Sequence, residues 1–305
     1  MTRTVVALGG NTLLKDGGAA TEQFRRIEES ADAIARLRET GRDLLLTHGN
    51  GPQVGHLLLQ QEATATDSDD MPLDVLVAET QAQIGYPLQQ ALYERLGETV
   101  VTVVTQVLVD DDDPAFDEPT KPVGPWYGEA EAEAKPFETT EARRSDGEVG
   151  YRRVVPSPPP KSVVEADRIT ELSRAGATVI AGGGGGVPVV REDGDLHGVE
   201  AVVDKDRTAA ALGRNIDADE LLILTDVDAA YLDYGDPDQR PIREADAVTM
   251  REHLDAGEFG AGSMGPKIEA AVDFVEGGGD RAVVTSLSAA EDALAGGAGT
   301  VVTPE

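Results

Sequence analysis

Short runs of apolar residues recur along the chain, and most of them end close to a glycine-rich or acidic turn. The runs are not interrupted by alternating polar residues, which is typical of strands buried on both faces of a parallel sheet. They lie at residues 4–8, 44–47, 100–109, 178–181, 221–224, 282–285 and 300–302. Because segments of helix length separate most of them, the pattern predicts an α/β fold with a mostly parallel sheet covered on both faces.

Four stretches with apolar residues at helical spacing predict helices beside these strands. The first has apolar residues at positions 24, 27, 31, 34 and 37, and we expect it to end at Gly41. A leucine-rich helix begins at about Gln53, and an alanine-rich helix covers residues 208–212. In the last, apolar positions 268, 271, 272 and 275 follow Pro266, which places Lys267 in a first helical turn.

The segment from residue 113 to about residue 155 does not follow this pattern. It is rich in proline, glutamate and other charged residues and has little periodicity, so we predict a protruding insertion. Four consecutive aspartates, residues 110–113, lead into it. A metal site is one interpretation of this run. A solvated turn is the simpler one, because four consecutive side chains cannot all converge on one ion.

The composition indicates a folded protein with a very acidic surface. The 305 residues include 40% apolar residues and 34 glycines, enough for a large core in one α/β domain or two closely joined ones. The formal net charge of -31 is spread along the chain. Such a charge opposes compaction unless salt screens it, and the Debye length falls to about 3 Å at molar salt. We therefore predict adaptation to a salt-rich cytoplasm; an ordinary acidic protein is the alternative.

Composition also excludes several classes of function. The chain has no basic stripe that could neutralise a nucleic-acid backbone, so we expect no nucleic-acid partner. It has no run of about 18 apolar residues and no signal peptide, so we expect a soluble, cytoplasmic protein that does not contact a membrane. The absence of cysteine excludes disulfides, zinc-thiolate sites and cysteine nucleophiles. The four histidines show no metal-ligand spacing.

Lysine is used very selectively. Only six lysines stand beside twenty arginines, and three of them lie in motifs with nearby glycines: TKPVGP at residues 120–125, VDKD at 203–206 and GSMGPK at 262–267. Lysine carries a compact, movable ammonium group, whereas arginine carries a broad planar fork. Its retention at these places indicates that a small positive charge meets a phosphate, which is a first indication of phosphoryl transfer.

Glycine turns at the ends of several predicted strands can present backbone N–H groups to an anion. They gather beyond the carboxyl ends of the strands, where ligands of such sheets bind. A single glycine turn more often marks tight packing, but several turns with three retained lysines favour a nucleotide or phosphate site. The chain lacks a P-loop sequence. Residues 49–55 match a dinucleotide fingerprint poorly, since the last glycine is one residue too far, and an oxidoreductase is less well supported.

Two carboxylates flank a lysine in Asp204-Lys205-Asp206, at the start of the alanine-rich helix. They can hold the ammonium group in place or bind a magnesium ion, while the helix terminus faces an anion. An exposed, charged first turn is the alternative, because acidic residues are common in that position.

Seven motifs, in order along the chain, closely resemble the carbamate kinase family of the amino acid kinase superfamily. They are VALGGN at residues 6–11, THGNGPQVG at 47–55, PTKPVGP at 119–125, VVPSP at 154–158, GGGGVPVV at 183–190, GVEAVVDKD at 198–206 and GSMGPKIEAA at 262–271. Sister families that phosphorylate acetylglutamate or UMP usually carry a lysine where this chain has Ala7. Lys121 resembles the replacement found in carbamate kinases.

The resemblance implies the amino acid kinase fold, a three-layer α/β/α sandwich on an open, mainly parallel sheet, acting as a homodimer. One domain would cover residues 1–305, with a carbamate and phosphoryl lobe at about 1–217, a nucleotide lobe at about 218–305 and the insertion at about 113–155. The implied reaction is reversible phosphoryl transfer between ATP and carbamate with Mg²⁺, giving ADP and carbamoyl phosphate. It is often run towards ATP at the end of arginine fermentation through the deiminase route.

The resemblance and the chemistry of phosphoryl transfer together predict roles for the site residues. Lys205 and Lys121 stabilise the transferring phosphoryl group, Asp206 orients the lysines, and Asp204 positions Lys205 or magnesium. Lys267 contacts the nucleotide phosphates. The residues expected to hold carbamate and the phosphoryl oxygens or to close the pocket are Gly9, Gly10, Asn11, Gly49, Asn50, Gly51, Gly183 and Gly184. The candidates for the adenosine pocket are Thr225, Asp226, Tyr231 and Met264.

Two alternatives share this fold but differ in function. One is a kinase for another small acid or phosphate, and the other is a nucleotide-binding sensor without turnover. In the leading interpretation no strong general base is required, because carbamate already carries a negative oxygen. Selectivity must then come from a pocket that excludes larger acids.

Overall fold

Strands and helices alternate along most of the chain in the computed structural model, which describes residues 2–14, 18–63, 70–144, 147–260 and 264–305. The strands in these ranges are β1 (Arg3–Leu8), β2 (Asp43–His48), β3 (Val100–Thr102), β4 (Gln106–Leu108), β5 (Lys121–Tyr127), β6 (Thr139–Arg143), β7 (Val149–Val155), β8 (Ser162–Val163), β9 (Thr178–Ile180), β10 (Val187–Glu192), β11 (Asp195–Gly198), β12 (Glu220–Thr225), β13 (Ala230–Leu232), β14 (Arg240–Ile242), β15 (Glu244–Asp246), β16 (Arg281–Ser286) and β17 (Thr300–Thr303). The helices are α1 (Gly10–Leu13), α2 (Ala20–Glu39), α3 (Gly51–Ala63), α4 (Leu73–Leu96), α5 (Glu129–Glu133), α6 (Ala166–Arg174), α7 (Lys205–Asn215), α8 (Ala247–Asp255), α9 (Gly265–Glu276) and α10 (Ala290–Leu294). None of these described helices combines the length and the apolar character that spanning a bilayer requires.

Eight strands pair into one central sheet in the order β15-β17-β16-β12-β1-β2-β9-β3. All neighbours are parallel except β16 and β17, so the prediction of a mainly parallel sheet is confirmed. β1 lies in the middle, where Val5 pairs with Leu221 of β12 on one side and Leu45 of β2 on the other. The carboxyl ends of these parallel strands therefore meet at one edge of the sheet.

Helices cover both faces of this sheet because the side chains of each central strand alternate between the faces. In β1, Val5 and Ala7 belong to a core that includes residues of α6, α7, α8 and α9. Val6 and Leu8 belong to the opposite core, with residues of α2, α4 and α10. All four side chains are fully buried. The three-layer α/β/α sandwich is therefore confirmed.

Helix α2 follows its predicted pattern with one exception. Its residues at positions 27, 31, 34 and 37 are buried, whereas Phe24 is 56% exposed and does not belong to the apolar face. Gly41 adopts φ = 85° just after the helix, and its N–H donates to the carbonyl oxygen of Arg38 at 3.0 Å. Glycine adopts this left-handed conformation without strain, which explains why the helix ends there.

The prediction of a single strand over residues 100–109 is wrong. β3 is an edge strand of the central sheet, whereas β4 belongs to a second sheet of order β11-β10-β4-β8. Thr105 lies between them, and its backbone N–H donates to Oε1 of the buried Gln81 at 2.7 Å. Its hydroxyl accepts a hydrogen bond from the N–H of Gly182 at 2.9 Å. The β-branched composition identified extended chain but carried no information about these polar contacts, which fix the change of direction.

The segment predicted to be an insertion contains regular structure of its own, a three-stranded antiparallel sheet of order β5-β7-β6. This sheet packs on α3 through Gly124, which lies against Gly55 and Leu58. The hydroxyl of Tyr127 and the ammonium group of Lys135 both bind the carboxylate of Glu62, near the end of the same helix. The 113–155 boundaries and the division into two lobes stay predictions.

The aspartate run before this segment is a turn, as the simpler interpretation predicted. Asp110 is ion-paired with Lys161 at 2.7 Å, and both side chains are about half exposed. Asp113 accepts a hydrogen bond from the N–H of Ala115 at 2.9 Å and caps a short 3-10 helix at Pro114–Phe116. Among the described residues, no group of three or more acidic or histidine side chains is placed to hold a metal ion.

Candidate active site

A cavity of about 450 Å³ lies at the carboxyl ends of β1, β2 and β12. Its walls come from the turns after these strands, the start of α3, the antiparallel sheet of the insertion, the turn at Gly184, and the starts of α7 and α9. The structure brings together here most of the residues predicted from sequence, namely Gly9, Gly10, Gly49, Asn50, Gly51, Lys121, Gly184, Asp204, Lys205, Asp206, Thr225, Asp226 and Lys267.

The glycine turns after β1 and β2 pass so close to each other that a side chain would not fit. A Cβ atom on Gly49 would lie 2.7 Å from the backbone nitrogen of Gly10. The N–H groups of Gly9 and Gly49 donate to the carbonyl oxygens of Leu224 and Leu8, each at 3.0 Å. These two amides therefore belong to the sheet. The amides at the start of α3 are available to an anion, since the first N–H groups of a helix have no partner within it.

The third glycine turn, residues 182–186, is held by side chains of neighbouring elements. Thr47 of β2 donates to the carbonyl oxygen of Gly182, and Thr208 of α7 donates to that of Gly185, both at 2.8 Å. Gly185 adopts φ = 92° and has the carbonyl oxygen of Val203 where a Cβ atom would lie. The turn thereby fixes the chain that enters α7.

The three selectively retained lysines meet at two aspartates, and we call these five residues the ion-pair cluster. The ammonium group of Lys121, on β5, lies 2.9 Å from Oδ2 of Asp204. Lys205, at the start of α7, contacts Oδ1 of Asp206. Lys267, in the first turn of α9, lies 3.0 Å from Oδ2 of the same aspartate. Three separate elements thus contribute cations to one point of the cavity.

The two carboxylate oxygens of Asp204 make different contacts. Oδ1 accepts a hydrogen bond from the N–H of Asp206 at 2.9 Å and caps α7, while Oδ2 pairs with Lys121. An aspartate cap of this kind satisfies one of the unpaired amides at a helix start. Burial by itself would raise the pKa of Asp204, but the charges of Lys121 and Lys205 outweigh it and hold this pKa below its usual range.

Asp206 and Lys205 form the most buried part of the cluster, whereas Lys121 is 35% exposed. Asp206 is 2% exposed and Lys205 is 12% exposed. Burial lowers the pKa of Lys205, and the adjacent carboxylate of Asp206 opposes that effect. Three ammonium groups and two carboxylates leave one excess positive charge. Beside the buried carboxylate of Asp206 this charge attracts an anion more strongly than it would at the surface.

His48, the last residue of β2, lies beneath these turns and is 1% exposed. Its Nδ1 donates to the carbonyl oxygen of Gly49 at 3.1 Å, which leaves Nε2 as an acceptor without a hydrogen-bond partner among the described residues. A Cβ atom on Gly183 would lie 2.6 Å from this Nε2. Burial, aided by the charge of Lys205, lowers the pKa of His48 to about 4. The imidazole is therefore neutral at physiological pH and supports the turn at Gly49.

This burial predicts a pH-dependent stability. As pH falls through 6.5 the unfolded histidine takes up a proton, whereas the folded one does so only near pH 4, so stability decreases over this window. Asparagine does not titrate in this range. Between pH 6.5 and 4, we expect the free energy of unfolding of His48→Asn to fall by roughly 3 kcal/mol less than that of the parent. Urea unfolding at constant KCl concentration measures this free energy for both proteins. Equal losses would show that His48 does not remain neutral.

Three predicted site residues that the structure describes, Gly183, Tyr231 and Met264, do not line the cavity. Gly183 lies behind it, against His48 and Gln81. Tyr231 stands in β13 with its ring 6.0 Å from that of Tyr234, and Met264 packs against the core around α9. Asn11 is in α1, but its side chain lies outside the described part of the structure, as do Gly262 and Ser263 of the last motif. The adenosine-pocket roles of Tyr231 and Met264 stay predictions without support from this geometry.

One charged residue of the cavity was missed. Arg152, on β7, lines it together with Lys121, Pro122 and Val123 of β5. The available signal was the Arg-Arg pair at residues 152–153, directly before the VVPSP motif. The pair did not stand out, because arginine is common throughout this chain.

Comparisons with known proteins agree with this architecture. The Amino acid kinase family matches residues 2–286. A carbamate kinase of Halobacterium salinarum is 55% identical over 305 residues, which is 100% of this chain and 99% of the relative. A carbamate kinase of Pyrococcus furiosus is 46% identical over 311 residues, covering 99% of both chains. The solved structure of carbamate kinase from Giardia lamblia bound to AMP-PNP has a TM-score of 0.89 and 41% identity, covering 100% of this chain and 99% of that one. The chain therefore belongs to the amino acid kinase family.

Proposed function

We propose that this protein is a carbamate kinase, which transfers a phosphoryl group reversibly between ATP and carbamate. The observation that carries the proposal is the ion-pair cluster: three lysines from β5, α7 and α9 meet in a glycine-lined cavity at the end of a parallel sheet. The full-length similarity to carbamate kinases supports the choice of carbamate as the acceptor. We further propose that the reaction runs towards ATP, at the end of arginine breakdown through the deiminase route.

In the ATP-forming direction, an oxygen of the ADP β-phosphate attacks the phosphorus of carbamoyl phosphate. The bond between this phosphorus and the carbamoyl oxygen breaks, and carbamate leaves with its negative charge. Neither direction requires removal of a proton from carbamate. The protein therefore has to align two anions and stabilise the charge of the phosphoryl group between them.

The cluster is suited to this task. We assign Lys205 and Lys121 to the equatorial oxygens of the transferring phosphoryl group, and Lys267 to the nucleotide phosphates. Asp206 orients Lys205 and Lys267, because one oxygen pairs with each of them. Asp204 orients Lys121. Charges fixed before the substrates arrive need no reorganisation during the reaction, which is the most effective form of electrostatic stabilisation.

We assign the two anions to different parts of the cavity wall. The start of α3 and the β5 residues of the insertion form one wall of the cavity, which we assign to carbamate. Thr225, Asp226 and Lys267 form another, which we assign to the nucleotide. The dipole of α3 adds positive potential on the carbamate side.

Magnesium fits this arrangement as a companion of the nucleotide. No described group of three acidic residues could hold it alone, and Mg²⁺ is commonly bound by one or two carboxylates together with substrate phosphates. Asp204, predicted from the sequence, and Asp226 are the cavity carboxylates we propose as partners. When bound, the ion neutralises charge on the phosphate oxygens.

The activity is tested by coupling ATP formation from ADP and carbamoyl phosphate to a luminescent readout in concentrated KCl. We expect turnover with Mg²⁺, and much less when the acyl phosphate of a bulkier acid replaces carbamoyl phosphate. Turnover with a different acyl phosphate alone would favour a kinase for another small acid. Nucleotide binding without any turnover would favour a sensor.

We propose that the protein works as a homodimer in a salt-rich cytoplasm. The net charge of -31 and the similarity to the carbamate kinase of Halobacterium salinarum support the salt adaptation. The same assay, run along a decreasing KCl series beside sedimentation analysis, tests both points. If activity and subunit association persist in dilute buffer, the proposal of salt adaptation is wrong. If the protein is a monomer in concentrated KCl, the proposal of a homodimer is wrong.

A further inference from the structure

We propose that Arg152 binds the carboxylate part of carbamate and the corresponding carbamoyl group of carbamoyl phosphate, and that it selects for a small planar acid. This inference rests on the proposed carbamate kinase function and adds a specificity residue to it. Arg152 is on β7 of the insertion and lines the cavity beside Lys121, Pro122 and Val123 of β5. It is therefore on the wall assigned to carbamate.

The backbone around Arg152 is shaped to hold its guanidinium group. β5 and β7 pair regularly from Lys121 to Val123, and their register then shifts before Tyr127. Within this bulge Gly124 adopts φ = 76°, and its carbonyl oxygen accepts a hydrogen bond from Nη2 of Arg152 at 2.9 Å. The guanidinium group also lies 5.4 Å from the centre of the Trp126 ring. Bulges commonly re-aim a side chain near an active site, and stacking on an aromatic ring restricts an arginine further.

The same bulge connects Arg152 to the helix that begins at the cavity. Gly124 packs against Gly55 and Leu58 of α3, and Gly51 at the start of α3 lines the cavity. The contact between Gly124 and α3 thus positions both the guanidinium group of Arg152 and the amides at the start of α3. A carboxylate between them would be bound from two directions, by a planar cation and by a helix start.

The neighbouring Arg153 has a different task. Its guanidinium group pairs with Glu200 and lies 5.0 Å from the ring of Phe137. Glu200 also accepts a hydrogen bond from the N–H of Leu73 at 2.9 Å, at the start of α4. Arg153 therefore fastens the insertion to the body of the protein, and of these two adjacent arginines Arg152 is the one in the cavity wall.

The chemistry of the side chain matches the acceptor. A guanidinium group offers parallel N–H donors that fit the two oxygens of a carboxylate, whereas an ammonium group is a point charge. The three lysines of the cluster suit a phosphoryl group, which presents oxygens in several directions. Carbamate is planar and small, and a fixed planar fork distinguishes it from bulkier acids by geometry as well as by charge.

Arg152→Ala and Arg152→Lys test the proposal in the ATP-forming assay, with KM measured separately for carbamoyl phosphate and for ADP. We expect Arg152→Ala to raise KM for carbamoyl phosphate by about 10- to 100-fold, which corresponds to the loss of charge-assisted hydrogen bonds. KM for ADP should change less than about twofold. For Arg152→Lys we expect a KM for carbamoyl phosphate only slightly below that of Arg152→Ala, because lysine restores the charge but not the planar pair of N–H donors.

Arg191→Ala is the matched control. Arg191 is exposed, and its Nη1 also donates to a glycine carbonyl oxygen, that of Gly194 at 2.9 Å. Both KM values should stay unchanged in this variant. An unchanged KM for carbamoyl phosphate in Arg152→Ala, or an equal rise for ADP, would overturn the proposal while leaving the kinase function intact. If the parent protein showed no turnover, the proposed function would be refuted, and so would the assignment of carbamate as the ligand of Arg152.

Discussion

Lys205→Ala is expected to lower kcat for ATP formation by roughly 10³-fold or more, since it removes a buried cation from the transferring phosphoryl group. The fold should survive. Asp206 remains paired with Lys267 at 3.0 Å, so its carboxylate is not left without a counter-charge. A large loss in kcat with an unchanged circular dichroism spectrum would identify an interaction that is needed for the reaction and not for folding.

Lys161→Ala provides the control for this experiment. It removes the same charge, but Lys161 is 53% exposed and pairs with Asp110 outside the cavity. We expect its kcat to remain within about twofold of the parent, because exposed ion pairs contribute little. A Lys205 variant that is as active as this control would refute the role we assign to Lys205.

Much of the fold could be predicted from the sequence because the central strands are buried on both faces. Residues 4–8 and 221–224 form unbroken apolar runs, and both became neighbouring parallel strands. The selective use of lysine also located three elements of the site. Sequence alone could not show that Lys121 reaches Asp204, 83 positions away, because that contact depends on how the insertion packs on α3.

The errors have equally specific causes. Residues 100–109 form two strands because Gln81 binds Thr105, a contact between residues far apart in the chain. Phe24 satisfied the helical spacing of α2 but lies at its exposed margin. The N–H groups of Gly9 and Gly49 donate to strand carbonyl oxygens, so the role of these two residues in holding carbamate stays a prediction that their amides do not support. Local patterns describe which groups exist, and tertiary packing decides which of them remain available.

Asp206→Asn is expected to have the second large effect, on stability as well as on turnover. Asp206 is 2% exposed and is the shared counter-charge of Lys205 and Lys267. Its replacement removes the carboxylate that these two largely buried ammonium groups share, and breaking a buried pair in this way costs about 3 to 5 kcal/mol. Asparagine keeps the size of the side chain, so the loss reports the charge and not a cavity.

Adding Lys267→Met to Asp206→Asn separates this explanation from general damage to the helix start. The double variant has one uncompensated ammonium group instead of two, so we expect it to recover a measurable part, about 1 to 2 kcal/mol, of the lost stability. Urea unfolding at constant KCl concentration gives the free energies, and neither protein should recover turnover. If the second substitution lowers stability further, the two lysines do not share Asp206 as their counter-charge, and the cluster is held together by other contacts.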